Sequence, residues 1–308
     1  MQRVFLLLFL FAQTVCAGLE HYSRLVVADT KPDARSNGLR VTYLGTNGYQ
    51  FEAEKHALLV DPYFSRIGPG AMIFASSVRP NTARIEEVMQ HLAPKADAIL
   101  VTHGHVDHLL DAPPIMRMTG ARLVGSRTAV TLAQAAGAPV ARCDAVRPGD
   151  FRQIGPWKIR ALAASHDRVF LIGVPFPGER KGNAPPKRAA DWVCGQPLAY
   201  LIEARGQHIY IDSGGRLSVL PPANVGPVDL AIIGVALPDS RARVAIAIRR
   251  LHPRYILPSH QDNFFRPLNR EFVFGPLTDF PRVLRDYKRE RLPGELILLD
   301  YFRPWTLR

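Results

Sequence analysis

The alternation of apolar and polar positions is blurred up to Leu39 and regular beyond it. Leu39 to Leu44, Tyr49 to Glu54 and His56 to Val60 are short runs that predict three strands, with Gly45 to Gly48 as the first turn and Asp61-Pro62 closing the third. Arg84 to Leu92 places Ile85, Val88, Met89 and Leu92 on one helical face. Ala98 to Thr102 is an apolar strand-like run, and Arg122 to Gly125 is a short strand. Asp111 stands where it can cap a helix ahead of Pro113, and Ser126 can cap another that Gly137 ends. Val140 to Val174 holds several strand-like runs broken by Pro148-Gly149-Asp150 and Gly155-Pro156. Strands return at Leu198 to Ala204, Gln207 to Ile211 and Leu230 to Ile233. An amphipathic helix from Arg241 to His252 turns Val244, Ile248 and Leu251 inward. A strand at Tyr255 to Leu257, a basic helix over about Asp279 to Arg291 and a last strand at Leu296 to Leu299 complete the pattern. Strands cluster in each half with helices between them. That suits two packed sheets with helices outside, and no linker forces a second domain.

Two segments break the pattern. Residues 18–38 are mixed and polar, contain Pro32, and read as a loosely held lead-in to a single unit over 39–308. Pro175 to Pro197 is rich in proline and glycine and carries Arg180, Lys181, Lys187 and Arg188. A loop of that length is functional or disordered as a rule; it reads either as a cationic lid or as a solvated loop.

The extreme N-terminus changes the picture again. Arg3 precedes a wholly apolar run from Val4 to Ala12, and Val15-Cys16-Ala17 offers small residues before a cut. Residues 1–17 therefore read as a signal peptide, and the chain as exported to the periplasm or medium. The apolar run is too short to span a bilayer. Cys143 and Cys194 then remain, and export permits a disulfide without requiring one.

Composition adds little about fold and something about partners. The 308 residues are 47% hydrophobic and 21% charged, which excludes a disordered or fibrous chain. A net charge of +12 favours anionic partners: small anionic substrates, lipid headgroups at a membrane surface, or nucleic acid. Export and the lack of an evident added binding domain argue against nucleic acid.

The candidate chemistry lies at the end of the Ala98 strand. Thr102-His103-Gly104-His105-Val106-Asp107-His108 delivers three imidazoles and a carboxylate within six residues, although the chain has only 10 histidines. These are ligands for zinc, iron and manganese, and a loop after a buried strand can hold several of them together. Further ligand types stand after later strand-like runs: His166, Asp212 and His260. Taken singly each has a plainer reading, as a hydrogen-bonded strand end, a turn cap or a polar loop. Asp167, beside His166, reads equally as a supporting or an incidental residue. Phe264 and Phe265 read as pocket wall or, more commonly, core. His21, His56, His91, His208 and His252 have no partner pattern.

The Thr102 to His108 motif, followed by single His, Asp and His residues in that order, resembles the metallo-β-lactamase superfamily. Val41 to Gly48 and Leu58 to Pro62 resemble its opening strands. His108 to Asp111, Pro175 to Glu179 and Ser259 to Leu268 look most like a bacterial branch related to the ascorbate-phosphate lactonase and N-acyl phosphatidylethanolamine phospholipase D groups. The resemblance implies an α/β fold, a four-layer αβ/βα sandwich of two mixed sheets with outer helices. It further implies two divalent metal ions, zinc before manganese or iron. His103, His105 and His166 would hold one, Asp107, His108 and His260 the other, with Asp212 bridging and Asp61 supporting the loop. The implied activity is metal-dependent hydrolysis of an ester, lactone or phosphodiester, anionic given the charge, by a metal-bridged hydroxide that Asp107 helps to orient. The alternative is a non-catalytic metal- or anion-binding envelope protein on the same fold. Oligomeric state is left open.

Overall fold

The computed structural model describes residues 18–30, 38–74, 77–169 and 173–308. The signal-peptide reading of residues 1–17 lies outside the described residues.

β1 (Leu39–Gly45), β2 (Gly48–Ala53) and β3 (His56–Val60) form an antiparallel meander, as their alternation predicts. β4 (Ala98–Leu100), β5 (Arg122–Gly125) and β6 (Cys143–Ala145) then extend the sheet in parallel. The second sheet mirrors this plan. β7 (Phe151–Ile154), β8 (Trp157–Ala163), β9 (Leu198–Ala204) and β10 (Gln207–Ile211) run antiparallel, and β11 (Leu230–Gly234), β12 (Tyr255–Ser259) and β13 (Glu295–Leu296) follow in parallel. β14 (Trp305–Leu307) returns to the first sheet and pairs with β1. Each sheet has seven strands, mixed in direction.

The period of two in each strand sorts its side chains between two environments. Leu58, Val60, Ala98 and Leu100 join the core shared with the second sheet, whereas Ala57, Leu59, Ile99 and Val101 face the helical layer. That layer is built from α1 (Pro69–Phe74), α2 (Thr82–Met89), α3 (Val106–Leu109), α4 (Ala112–Thr119) and α5 (Arg127–Ala135). α6 (Pro238–Leu251) and α7 (Phe280–Arg289) cover the other sheet, with Val244, Ile248, Leu251, Phe280 and Val283 in its core. The result is the four-layer sandwich expected from the sequence. Each fully buried Leu or Ile adds about 2 kcal/mol of transfer free energy. Among the described residues no helix is long and apolar enough to cross a membrane.

The caps follow local chemistry. Ser126 accepts from the Ala129 amide at the start of α5, and Asp279 accepts from the Arg282 amide at α7. Ser126→Ala is expected to cost about 1 kcal/mol, read as a lower denaturant midpoint with unchanged slope. Asp111 behaves differently. It stands at the N-terminus of α4 but makes no side-chain cap there; its carboxylate takes the Phe64 and Ser65 amides and the Ser65 hydroxyl.

Residues 18–30 are not the loose lead-in the sequence suggests. A 3₁₀ helix, Leu19–Leu25, sets the Tyr22 ring edge-on to Phe274 and Phe280 at 5.4 and 4.9 Å. The chain then exchanges backbone bonds with Leu298, at 2.8 Å from its amide to Leu25 and 3.0 Å from the Val27 amide. Cys143 and Cys194 are both free thiols, so the disulfide that export would permit is not formed.

Candidate metal centre

The site is assembled where strands end. Asp61 follows β3, His103 and His105 follow β4, and Asp107 and His108 occupy the first turn of α3, whose N-cap is His105. His166 follows β8 and His260 follows β12. Two groups of ligand atoms result, each within 4.8 Å: His103, His105 and His166, and Asp107, His108 and His260. Six of the seven residues expected to ligate are thus brought together.

In the first group every ring is oriented from behind. The His105 Nε2 lies 2.9 Å from the Pro175 carbonyl and the His166 Nδ1 2.8 Å from the Asp167 carbonyl. A carbonyl only accepts, so those nitrogens carry the hydrogens, and His105 Nδ1 and His166 Nε2 are bare. The Thr102 hydroxyl donates to Asp61 at 2.5 Å and so accepts from His103 Nδ1 at 3.1 Å, which bares His103 Nε2. Bare His103 Nε2 and His105 Nδ1 face each other at 3.0 Å. Two lone pairs at that distance repel unless a cation draws both. Burial first, then the neighbouring imidazoles, push His103 well below its ordinary pKa; burial is also the main cause that takes His105 to about 3 and His166 to about 4. Three neutral imidazoles are what a divalent metal requires.

The second group is charged. Asp107 Oδ2 lies 3.1 Å from His260 Nε2 and 3.3 Å from His108 Nε2. His108 Nδ1 donates to Asp61 Oδ2 at 2.7 Å. Burial opposes a charge on His108, but Asp107 and Asp61 outweigh it and raise the imidazole to about 10. The same pairing, with His260, holds Asp107 well below the carboxylate range against its own burial. A cation entering this group therefore displaces a proton from His108, whereas one entering the three-imidazole group does not. Between pH 6 and 9 the affinity of the second group is expected to rise about tenfold per pH unit and that of the first to stay flat. Zinc titrations at three pH values, with buffer-dependent proton release, check this.

Asp61 is the hub of the support. Its carboxylate also takes the Thr102 amide at 2.8 Å and the Asn47 amide nitrogen at 2.8 Å. His260 sits in the left-handed region at φ 54°, where its backbone is held by a 2.8 Å bond to the Thr46 carbonyl. Thr46 in turn donates its amide to Asp262, whose other oxygen takes Arg66 Nη1 at 2.8 Å and the Tyr301 hydroxyl at 2.6 Å. His260 Nδ1 is buried without a hydrogen-bond partner.

Asp212 is the exception. It follows β10 as expected and stands outside the two groups of three, its carboxylate held by donors within the protein. Its Oδ1 accepts from the Gly214 and Gly234 amides at 2.9 and 3.2 Å. Its Oδ2 accepts from the Tyr210 hydroxyl at 2.8 Å and Arg243 Nη2 at 2.7 Å.

Asp167 takes the amide and hydroxyl of Ser240, tying the start of α6 to the segment that carries His166. The 175–197 loop does reach the site. Pro175 holds His105, Phe176 lies 6.3 Å edge-on to its ring, and the Gly104 amide donates to the Cys194 carbonyl at 2.9 Å. Gly104 has no room for a side chain, since a Cβ would lie 2.2 Å from the Val193 carbonyl oxygen. Phe264 stands edge-on to His260 at 5.6 Å and also packs against the core beneath the helical layer, so it joins both readings the sequence offered. The Pro175 carbonyl and Arg243 carried no signal in the sequence, being a backbone atom and one arginine among many. His56 pairs with Asp97 and His91 stacks on Phe302, both apart from the ligand groups.

Two mixed sheets in an αβ/βα sandwich, with His and Asp ligands converging from their strand ends, define the metallo-β-lactamase fold. The sequence matches the family described as the beta-lactamase superfamily domain over residues 40–260, and the chain belongs to that family. It is 26% identical over 234 residues to a UPF0173 metal-dependent hydrolase of Heliobacterium modesticaldum, covering 73% of this chain and 84% of that one. It is 25% identical to the Carboxydothermus hydrogenoformans protein of the same description, over 85% of this chain and 100% of that one. Among solved structures it is similar to a metallo hydrolase from the archaeon Ignicoccus hospitalis, with a TM-score of 0.58, 16% identity and coverage of 88% and 98%. The metallo-β-lactamase fold protein YhfI of Bacillus subtilis matches with a TM-score of 0.55, 15% identity and coverage of 87% and 99%.

Proposed function

We propose that this chain is an exported, metal-dependent hydrolase with two divalent metal ions, acting on a small anionic ester, lactone or phosphodiester. The chain is a metal-dependent hydrolase of the metallo-β-lactamase fold; the number of metals, the substrate and export are the finer parts of the reading. The observation that carries it is the pair of ligand groups, each imidazole in the first held from behind so that a bare nitrogen points inward. His103, His105 and His166 would hold one ion, and Asp107, His108 and His260 the other. Nitrogen-rich groups of this kind suit zinc first. Bound there, such cations lower the pKa of water toward neutrality and polarise a carbonyl or phosphoryl oxygen.

The protein supplies the rest. Asp107 orients water through the oxygen it does not share with His108 and His260. Asp61 and Thr102 keep His103 and His108 in their tautomers. Phe176 and Phe264 present apolar edges beside His105 and His260 that limit bulk water. The cations of the 175–197 loop, with the net charge of +12, favour an anionic substrate.

The test is metal content of the purified chain, then hydrolysis of phosphodiester, lactone and β-lactam substrates with and without chelator. Chelator-sensitive turnover is expected for the first two classes. A chain that binds no metal sinks the reading.

A further inference from the structure

We propose that Arg66 is a positioning residue for the second ligand group, setting the distance between the turn that carries Asp107 and His108 and the loop that carries His260. The proposal rests on the reading of two metal groups and names what spaces one of them.

Arg66 is a cation enclosed by the protein on every side. Its side chain, like that of Asp262, is 0% exposed. Nη1 donates to Asp262 Oδ2 at 2.8 Å and Nε to the Tyr63 carbonyl at 3.2 Å. The Tyr63 and Tyr301 rings lie 5.8 and 5.9 Å from the guanidinium carbon, a cation–π arrangement that gains strength where water is excluded. The backbone is committed as well. Arg66 sits at φ 47°, a conformation that a long side chain keeps only where its surroundings hold it. On the remaining side Gly45, itself at φ 84°, makes room for the guanidinium, since a Cβ there would collide with Nη2.

Two lines of bonds diverge from this residue, and both end in the second group. On one side Asp262 takes the Thr46 amide at 2.8 Å, and the Thr46 carbonyl takes the His260 amide at 2.8 Å. On the other, Phe64 and Ser65, the residues before Arg66, each donate an amide to Asp111 at 2.6 Å. Asp111 stands just past the end of α3, which carries Asp107 and His108. Arg84 fixes the same segment from α2, donating through Nη1 to the Ser65 and Arg66 carbonyls at 2.6 and 3.1 Å. The three ligands thus come from two segments far apart along the chain, and a buried ion pair joins those segments. His103, His105 and His166 are oriented by Thr102, Pro175 and Asp167 instead, so the first group does not depend on the pair.

The experiment titrates zinc into the purified chain and its Arg66→Gln and Arg66→Lys variants against a chromophoric chelator, with circular dichroism to confirm folding. Arg66→Gln is expected to bind as many equivalents as the parent. One should weaken about tenfold, the scale for loss of a residue that orients a metal ligand, and the other should be unchanged. Arg66→Lys keeps a cation for Asp262 and should recover part of the loss. In a His105→Ala background, where only the second group is intact, the weakening should persist; in a His260→Ala background Arg66→Gln should change nothing. Equal weakening of both equivalents, or unchanged affinity with only a lower melting temperature, would overturn the proposal. Should Arg66→Gln fail to fold, Tyr301→Phe decides, because it takes a single donor from Asp262: the same equivalent weakens, or an unchanged titration ends the idea. A parent that binds no zinc defeats the hydrolase reading and this proposal with it, whereas a parent with two sites that Arg66→Gln leaves alone defeats only the latter.

Discussion

His105→Ala is expected to lower hydrolysis by about 10³-fold, the scale of several kcal/mol that metal-ion catalysis contributes. The same change should remove one metal equivalent. His105 is buried, its Nδ1 faces His103 Nε2, and its other nitrogen is fixed on the Pro175 carbonyl. Alanine removes a ligand and leaves that carbonyl without its donor, so both the ion and the start of the 175–197 loop lose a support. The His91→Ala control should leave turnover unchanged, because His91 stacks on Phe302 away from both ligand groups. Metal analysis beside steady-state kinetics checks it; equal losses in the two variants would show that the effect is not one of ligation.

Asp262→Ala is expected to destabilise the fold by about 3–5 kcal/mol, the range for breaking one side of a buried ion pair. The Arg66 and Asp262 side chains are both 0% exposed, and alanine would strand the guanidinium, the Tyr301 hydroxyl and the Thr46 amide at once. Asp262→Asn keeps an acceptor and should cost less. Because Thr46 also holds the backbone of His260, weakened zinc binding in the second group should accompany the lower urea midpoint. A midpoint within error of the parent would refute the account.

Much of this was legible along the chain, and the reason is locality. His103, His105, Asp107 and His108 declare themselves because a turn after β4 places neighbouring residues on one site. The α/β sandwich follows from alternation in β1 to β5 and helical spacing in α2 and α6. His166 and His260 are readable only through their order after strands and the family resemblance. Asp212 shows how far that approach reaches. Its strand-end position was read correctly, but its partner lies 31 residues on, within α6, and nothing in the sequence distinguishes Arg243 from its neighbours. β14 and the 3₁₀ helix Leu19–Leu25 were missed for a related reason. Each is short, and each owes its order to contacts with remote strands rather than to an apolar run of its own.

The N-terminal 3₁₀ helix bears on how the polypeptide can be trimmed. Tyr22 packs on Phe274, and Phe274 bridges to Asp262 two positions beyond His260. A protease that removed the first 25 residues would therefore strip an aromatic wedge from behind the loop that presents a ligand. An affinity tag placed at Gly18 leaves that wedge in place, and one replacing it should loosen the loop that carries His260.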